Sequence, residues 1–240
     1  MSTQFELDFY KFWNLINSDV NFAYSRYADG EVLLINGHEV TEGTQAYNID
    51  KWKAPNKLTK VGIELLKTLK HTESNYFYAI SGKNDNINDY NFLKSIITQP
   101  DTNITFANLW INSNYKKMFE NYLNYSKPSY VICNEIAEII NFKINVIDII
   151  KFPNDCINYW EINGDVYIDS LIKKYGSLTN QTFFISCGLV SEIIIDRLYN
   201  NNQNNKYIDV GSSMDEFIHN KKTRPYMLDN SPYSKQISSF

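Results

Sequence analysis

The feature that most constrains this chain is a repeated switch between two hydrophobic periods. Segments with apolar residues three and four apart alternate with short runs rich in β-branched and aromatic residues, the signatures of helices and strands respectively. Phe5, Phe9, Phe12, Trp13 and Ile16 mark a first helical face, which Asn17, Ser18 and Asp19 stop before a short extended segment at 21–24. Leu58, Val61, Leu65, Leu66 and Leu69 mark a second, followed by a strand-like run at 76–80 that ends at Ser81 and Gly82. Helical signals at 91–98 and 115–123 then alternate with extended ones at 104–107 and 130–133. The β-branched run 144–150 is too apolar for a surface strand, and the helical pattern at 167–175 is closed by Gly176. The last third repeats the unit: a buried-strand run at 182–185, a turn at Ser186, Cys187 and Gly188, a helix at 190–198 and a strand at 207–210.

Strands separated by helices need crossover connections, and crossovers build parallel sheets covered on both faces. The expected fold is therefore α/β and Rossmann-like, a mostly parallel sheet with helices on both faces. Neither a Pro/Gly/Ser-rich linker nor an internal repeat divides the 240 residues, so 1–240 is read as a single domain with an insert around 38–55 and a C-terminal tail around 221–240. Ligands of such sheets bind beyond the carboxyl ends of the strands, which directs attention to the residues just after each one.

Composition excludes several function classes. At 43% hydrophobic residues a disordered polymer is ruled out, and 23 Lys and Arg against 27 Asp and Glu leave a net charge of −4, with no basic field for nucleic acid. No apolar run approaches the roughly 18 residues of a transmembrane helix, and the first residues lack a secretion signal, so a cytoplasmic protein is expected. Cys133, Cys156 and Cys187 form an odd set without a metal-type pair, and read as reduced and structural. Aromatic residues at 15% fill a large core or stack on flat ligands, and composition does not separate the two uses. Self-association is left open.

The richest segment, Ser25-Arg26-Tyr27-Ala28-Asp29-Gly30-Glu31, follows the first expected strand. Carboxylates at i and i+2 around a glycine can converge on one Mn²⁺ or Mg²⁺, a cation that takes one or two protein carboxylates and fills its shell with water and phosphate oxygens. Arg26 adds a planar donor fork for phosphate. The plainer alternative is a turn in which Glu31 caps a helix at 32–35. Ser186 and Gly188 stand where a strand end feeds a helix N-terminus and can offer donors to an anion. Asp209 and Asp215 flank the end of the last strand; Asp209 bonds a neighbouring turn or meets the ligand, and Asp215 caps the helix at 216–219 or serves as general base. Asn108, in a cluster of amides and aromatics, suits sugar hydroxyls or closes a loop, and Asn134 reaches a base or ribose or begins a helix. The tail 221–226 is a solvated basic stretch unless it folds back over a bound phosphate. G-x-G-x-x-G and Walker patterns are absent, which argues against dinucleotide and P-loop sites.

Arg26-Tyr27-Ala28-Asp29-Gly30-Glu31 resembles the R-[FY]-[GA]-D-G-E signature of the GT-D fold glycosyltransferases of bacterial adhesin glycans. Ile185-Ser186-Cys187-Gly188 is similar to that family's S-[AC]-G turn, and Ile208-Asp209-Val210-Gly211 followed by Asp215 is similar to its late acidic element. The resemblance implies a GT-D type fold and transfer of a hexosyl or pentosyl unit from a nucleoside diphosphate sugar, UDP-linked, to a hydroxyl of a glycan, glycoprotein or glycolipid. It also implies that Asp29 and Glu31 hold the metal and act in catalysis; the reading of the residues adds Asp215 as base and Arg26, Asn108, Asn134, Ser186, Gly188 and Asp209 around the donor. The rivals are a metal-dependent nucleotide-sugar hydrolase and a non-catalytic nucleotide- or glycan-binding module.

Overall fold

A computed structural model describes residues 2–42 and 52–240. The helical and extended signals become eight α-helices and nine strands among the described residues, and every expected element is present. Thr3 caps α1 (Gln4–Asn17) by accepting the Glu6 amide, and α1 leads into β1 (Phe22–Tyr27), directly followed by α2 (Asp29–Ile35). A ribbon of β2 (Val40–Glu42) and β3 (Trp52–Ala54) precedes α3 (Lys60–Thr68), β4 (Tyr76–Ile80), α4 (Ile87–Ile96) and β5 (Ile104–Phe106). Next come α5 (Tyr115–Leu123), β6 (Ser129–Asn134), β7 (Val146–Phe152) and the long α6 (Cys156–Tyr175). Last are β8 (Thr182–Ser186), α7 (Ser191–Asn201), β9 (Lys206–Asp209) and α8 (Asp215–His219).

Seven strands form one parallel sheet in the order β5-β4-β1-β9-β8-β6-β7, so all their carboxyl ends lie along one edge. From β1 the chain moves outward to β4 and β5, then restarts at β6 on the other side and returns through β8 to β9, which pairs with β1. In parallel sheets of this kind ligands bind beyond the carboxyl ends of the strands.

The period of two along each strand sends alternate residues to opposite faces. Ala23 and Tyr27 of β1 and Tyr76, Tyr78 and Ile80 of β4 join a core with α2, α3, α4, α6 and α7, whereas Phe22, Tyr24, Phe77 and Ala79 join one with α1, α5 and α8. The spacing read on α1 holds, for Phe5, Phe9, Phe12 and Ile16 are buried, and Trp13 lies edge-on to Tyr122 and Tyr125. Each buried ring of this kind contributes about 1.5–3 kcal/mol by leaving water. The aromatic surplus goes mainly to these cores, where buried tyrosine hydroxyls find partners: Tyr76 on Ser25 at 2.7 Å, Tyr122 on Ser213 at 3.0 Å and Tyr125 on Thr182 at 3.0 Å.

Two expectations need correction. The run at 144–150 belongs to β7, which is the edge strand of the sheet and leaves Ile147 half exposed. Its inward residues, Ile150 and Phe152, supply the apolar character, and pairing order rather than composition puts it at the edge. Helix α6 begins eleven residues before the pattern at 167–175, because Asn158, Glu161, Asn163 and Asp165 interrupt the apolar spacing in its first half. Gly164 is part of that half, and a side chain there would meet the Trp160 indole at 2.8 Å. Of the insert, the stretch 43–51 lies outside the described residues, while its ends pair as β2 and β3.

At the opposite edge of the sheet, His71 stacks on Tyr76 at 3.9 Å with its ring nitrogens 3.0 Å from Glu73 and 2.7 Å from Asp196. Burial opposes the imidazolium, but the hydrogen bonds to Asp196 and Glu73 outweigh it and raise the His71 pKa above its ordinary value. The stabilisation from this cluster is therefore fully present below the unfolded-state pKa and is lost as pH rises through the raised native one. The melting-temperature difference between wild type and His71→Gln should shrink on going from pH 6 to pH 9; a constant difference would show that the charge contributes nothing.

Candidate functional site

A cleft of about 530 Å³ opens at the carboxyl edge over the ends of β1, β6, β7 and β8 and the turn after β9. Its size is that of an ordinary small-ligand site. The sequence motif after β1 builds one wall. Asp29 and Gly30 open α2, and both Asp29 and Glu31 line the cleft. Asp29 is exposed, whereas Glu31 is 2% exposed and its Oε2 accepts the Ala28 amide at 2.7 Å. Glu31 thus fulfils the capping role and still faces the cleft. Burial pushes its carboxyl up to about 7, against the pull of Arg26 and the Ala28 amide.

Arg26, at the end of β1, is the basic counterpart beside these acids. Its Nε lies 3.4 Å from Asp209 Oδ2, and Asp209 Oδ1 accepts the Gly211 amide at 2.7 Å. Asp209 is 1% exposed and does not line the cleft, so its place is beneath the floor, where it holds Arg26 and the turn after β9. Glu192, in the first turn of α7, is fully buried beside the same groups; burial, then the Glu31 and Asp209 carboxylates, push its carboxyl well above the ordinary range.

The turn after β8 forms the adjoining floor. Ser186 Oγ donates to the Gly211 carbonyl at 2.9 Å, and Ser186, Cys187 and Gly188 all line the cleft. Cys187 is structural: its amide donates to Ser191 Oγ at 2.9 Å, its thiol lies 3.4 Å from the Ile132 carbonyl, and burial raises the thiol pKa far above its usual value. Asn134, at the end of β6, also lines the cleft and donates to Asn154 Oδ1 at 2.8 Å while accepting the Ile136 amide at 3.0 Å. Asn108 is not brought there. In its segment Trp110 is buried and donates to the Asp209 carbonyl at 3.1 Å, and Asn114 closes the loop on the Leu109 carbonyl at 3.1 Å.

Asp215 lies in the cleft but caps nothing through its side chain, because it is the first residue of α8 and follows the N-cap Met214. Its Oδ2 accepts Thr223 Oγ1 at 2.7 Å and Arg224 Nε at 3.1 Å. Burial raises the Asp215 pKa in spite of these partners. The tail is accordingly only half solvated: Lys221 and Lys222 are exposed, Thr223 is buried and Arg224 lines the cleft. Sequence reasoning missed Glu192 and reached Arg224 only as part of the basic tail that could fold back. An acid set inside the apolar run Val190-Ser191-Glu192-Ile193-Ile194 was the available signal for Glu192.

Among the described residues no group of three or more His, Cys, Asp or Glu forms a self-contained metal cage. Asp29 and Glu31 nevertheless fit a hard cation that needs one or two carboxylates and completes its shell with water and phosphate, and a desolvated carboxyl near neutrality gains from such a charge.

No protein-family model matches the chain, and no curated protein does. Solved structures do. A structure described as the highly conserved domain of unknown function 1792 with a distinct glycosyltransferase fold superposes with a TM-score of 0.57 at 13% identity over 98% of this chain and 88% of that one. A new glycosyltransferase of the same domain from Streptococcus sanguinis gives 0.58 at 10% identity over 100% of this chain and 93% of that one.

Gly211 tests the floor directly. Its φ is +49°, and a side chain would sit 2.9 Å from the Arg26 guanidinium. Gly211→Ala should destabilise the protein by about 1–3 kcal/mol in chemical denaturation through backbone strain and displacement of Arg26; an unchanged midpoint would mean that the turn and Arg26 are independent. With its parallel seven-stranded sheet, helices on both faces and a cleft at the carboxyl edge, the chain has the glycosyltransferase fold described for the domain of unknown function 1792.

Proposed function

We propose that this protein is a metal-dependent glycosyltransferase that moves a sugar from a nucleoside diphosphate sugar, UDP-linked as the resemblance implies, to a hydroxyl of a glycan, glycoprotein or glycolipid. The observation that carries the reading is the meeting of Asp29, Glu31 and Arg26 in one cleft with the Ser186 and Gly188 turn. Asp29 and Glu31 would hold Mn²⁺ or Mg²⁺, which would supply charge neutralisation for the departing diphosphate.

The chain's own residues do the rest. Arg26, oriented by Asp209, presents a fixed guanidinium toward the phosphates, and the turn at Gly188 adds donors at the mouth of a helix. Asn134 and Asn154, already bonded to each other, offer amide groups for ribose or sugar hydroxyls. Asp215, whose proton affinity burial raises, is placed in the cleft to take the acceptor proton. Enclosing donor and acceptor together removes much of the orientational cost of the reaction.

The discriminating variants separate charge from fold. Glu31→Gln keeps an acceptor for the Ala28 amide, and Asp29→Asn changes an exposed residue, so both should melt within a few degrees of wild type. Each should nonetheless lose at least about a hundredfold in Mn²⁺-dependent transfer, the scale of a lost charge-stabilising group. Near-normal turnover with the correct donor and acceptor would reject the reading, and release of free sugar regardless of acceptor would make the protein a hydrolase.

A further inference from the structure

Two asparagines of the cleft form a chain of hydrogen bonds whose direction the backbone fixes. Asn134 ends β6, Asn154 stands two residues after β7, and both line the cleft. The Ile136 amide donates to Asn134 Oδ1 at 3.0 Å, so the Asn134 amide group faces the other way, where it donates to Asn154 Oδ1 at 2.8 Å. A backbone N–H cannot accept. Neither side chain can therefore be turned over without setting two donors against each other.

The groups left for a ligand are donors. The Asn154 oxygen is directed at Asn134, whereas both N–H groups of its amide are accepted by no described residue. An asparagine with both ends open matches adenine, accepting from the amino group while donating to the ring nitrogen. With its oxygen engaged, Asn154 matches an acceptor on the ligand, and an exocyclic amino group is not one. A hydroxyl rotates to suit either kind of partner and takes no advantage of a fixed donor, but a carbonyl oxygen does. Position says which carbonyl. Asn154 follows β7 and Asp29 follows β1, four strand spacings apart in the sheet, on the order of 19 Å. With the diphosphate beside Asp29, Glu31 and Arg26, a sugar joined directly to the phosphates stays near them, while the base, held off by the ribose, reaches farther. Phe152 and Pro153, which line the cleft next to Asn154, give this end the apolar character that a base ring requires.

We infer that Asn154, oriented by Asn134, reads an exocyclic carbonyl of the donor's base and so selects an oxo base, uracil or guanine, over its amino counterpart, cytosine or adenine. The inference rests on the nucleotide-sugar reading above and adds to it the residue that chooses the nucleotide. The plainer alternative is that the amide pair only ties the end of β6 to the turn before α6, and the two differ in a ratio of affinities.

Calorimetric titration of the full chain with Mn²⁺ and UDP or CDP, and with GDP or ADP as the purine pair, tests it. Wild type should prefer the oxo member of the pair it binds by about tenfold or more, the effect of setting a buried donor against another donor. Asn154→Ala should bring the two affinities within about threefold, and Asn134→Ala, which frees Asn154 to turn over, should lower the preference in the same direction. Asn154→Asp should reverse the order, because a carboxylate accepts from an amino group; its charge weakens both members alike, so the ratio stays readable. This variant is nearly isosteric and keeps an acceptor for Asn134, which preserves the test if the alanine variants unfold. Equal affinities in wild type, or a preference that survives in Asn154→Asp, would overturn the inference and leave the nucleotide reading standing. If wild type binds none of the four diphosphates, that reading fails first and the inference falls with it.

Discussion

Arg26 is the group on which the floor of the cleft depends. A guanidinium taken largely out of water needs compensating charge, and removing one partner of such a buried pair typically costs about 3–5 kcal/mol. Here the direct partner is Asp209 at the end of β9, 3.4 Å from Nε, and Glu31 in α2 adds a second, more distant carboxyl. Glu192 of α7 is buried beside the same groups, and burial together with the Glu31 and Asp209 carboxylates pushes it toward its neutral form. The turn after β9 closes around the same side chain, since Gly211 leaves no room there for anything but hydrogen. The strand ends beneath the cleft are thus fixed to one another by charge as well as by the sheet ladder.

This arrangement explains how one short segment both caps a helix and faces the cleft. Glu31 bonds the Ala28 amide and thereby sets the first turn of α2, which points Asp29 outward into the cleft. A carboxylate immobilised in this way has little freedom left to lose, which is the condition for a preorganised site. The opposite wall is made by chain far away in sequence, where Asp215 gathers Thr223 and Arg224. Neither wall is a loop waiting to order itself; each is tied to a regular element by charged hydrogen bonds.

The comparison of expectation with structure follows the range of the interactions involved. The acidic motif, the turn at Ser186 to Gly188 and the glycine after β9 were legible because each is a contiguous stretch whose local chemistry has few solutions. Asn108 was left between two uses because loop closure and sugar binding call for the same amides, and only the fold shows that its neighbours bond within the loop. The tail was left between a solvated stretch and one that folds back because only its charge is visible in sequence, whereas the carboxylate that receives Arg224, nine residues earlier, is recognised only once α8 has reversed the chain. The edge position of β7 escaped for a similar reason, since an apolar strand looks the same whether one or two neighbours pair with it.

The sequence by itself determined the alternation of helices and strands, the direction in which each strand runs relative to its crossover, and the placing of two acids around a glycine just past β1. These follow from side-chain periodicity and backbone freedom, which are local. Only the tertiary structure decided that β1 would lie beside β9, that Asp209 and Glu192 would close on Arg26, and that Arg224 would return to the cleft. Those outcomes depend on which strands pair and on where burial makes an unpaired charge intolerable, and both are properties of the packed sheet rather than of any segment in it.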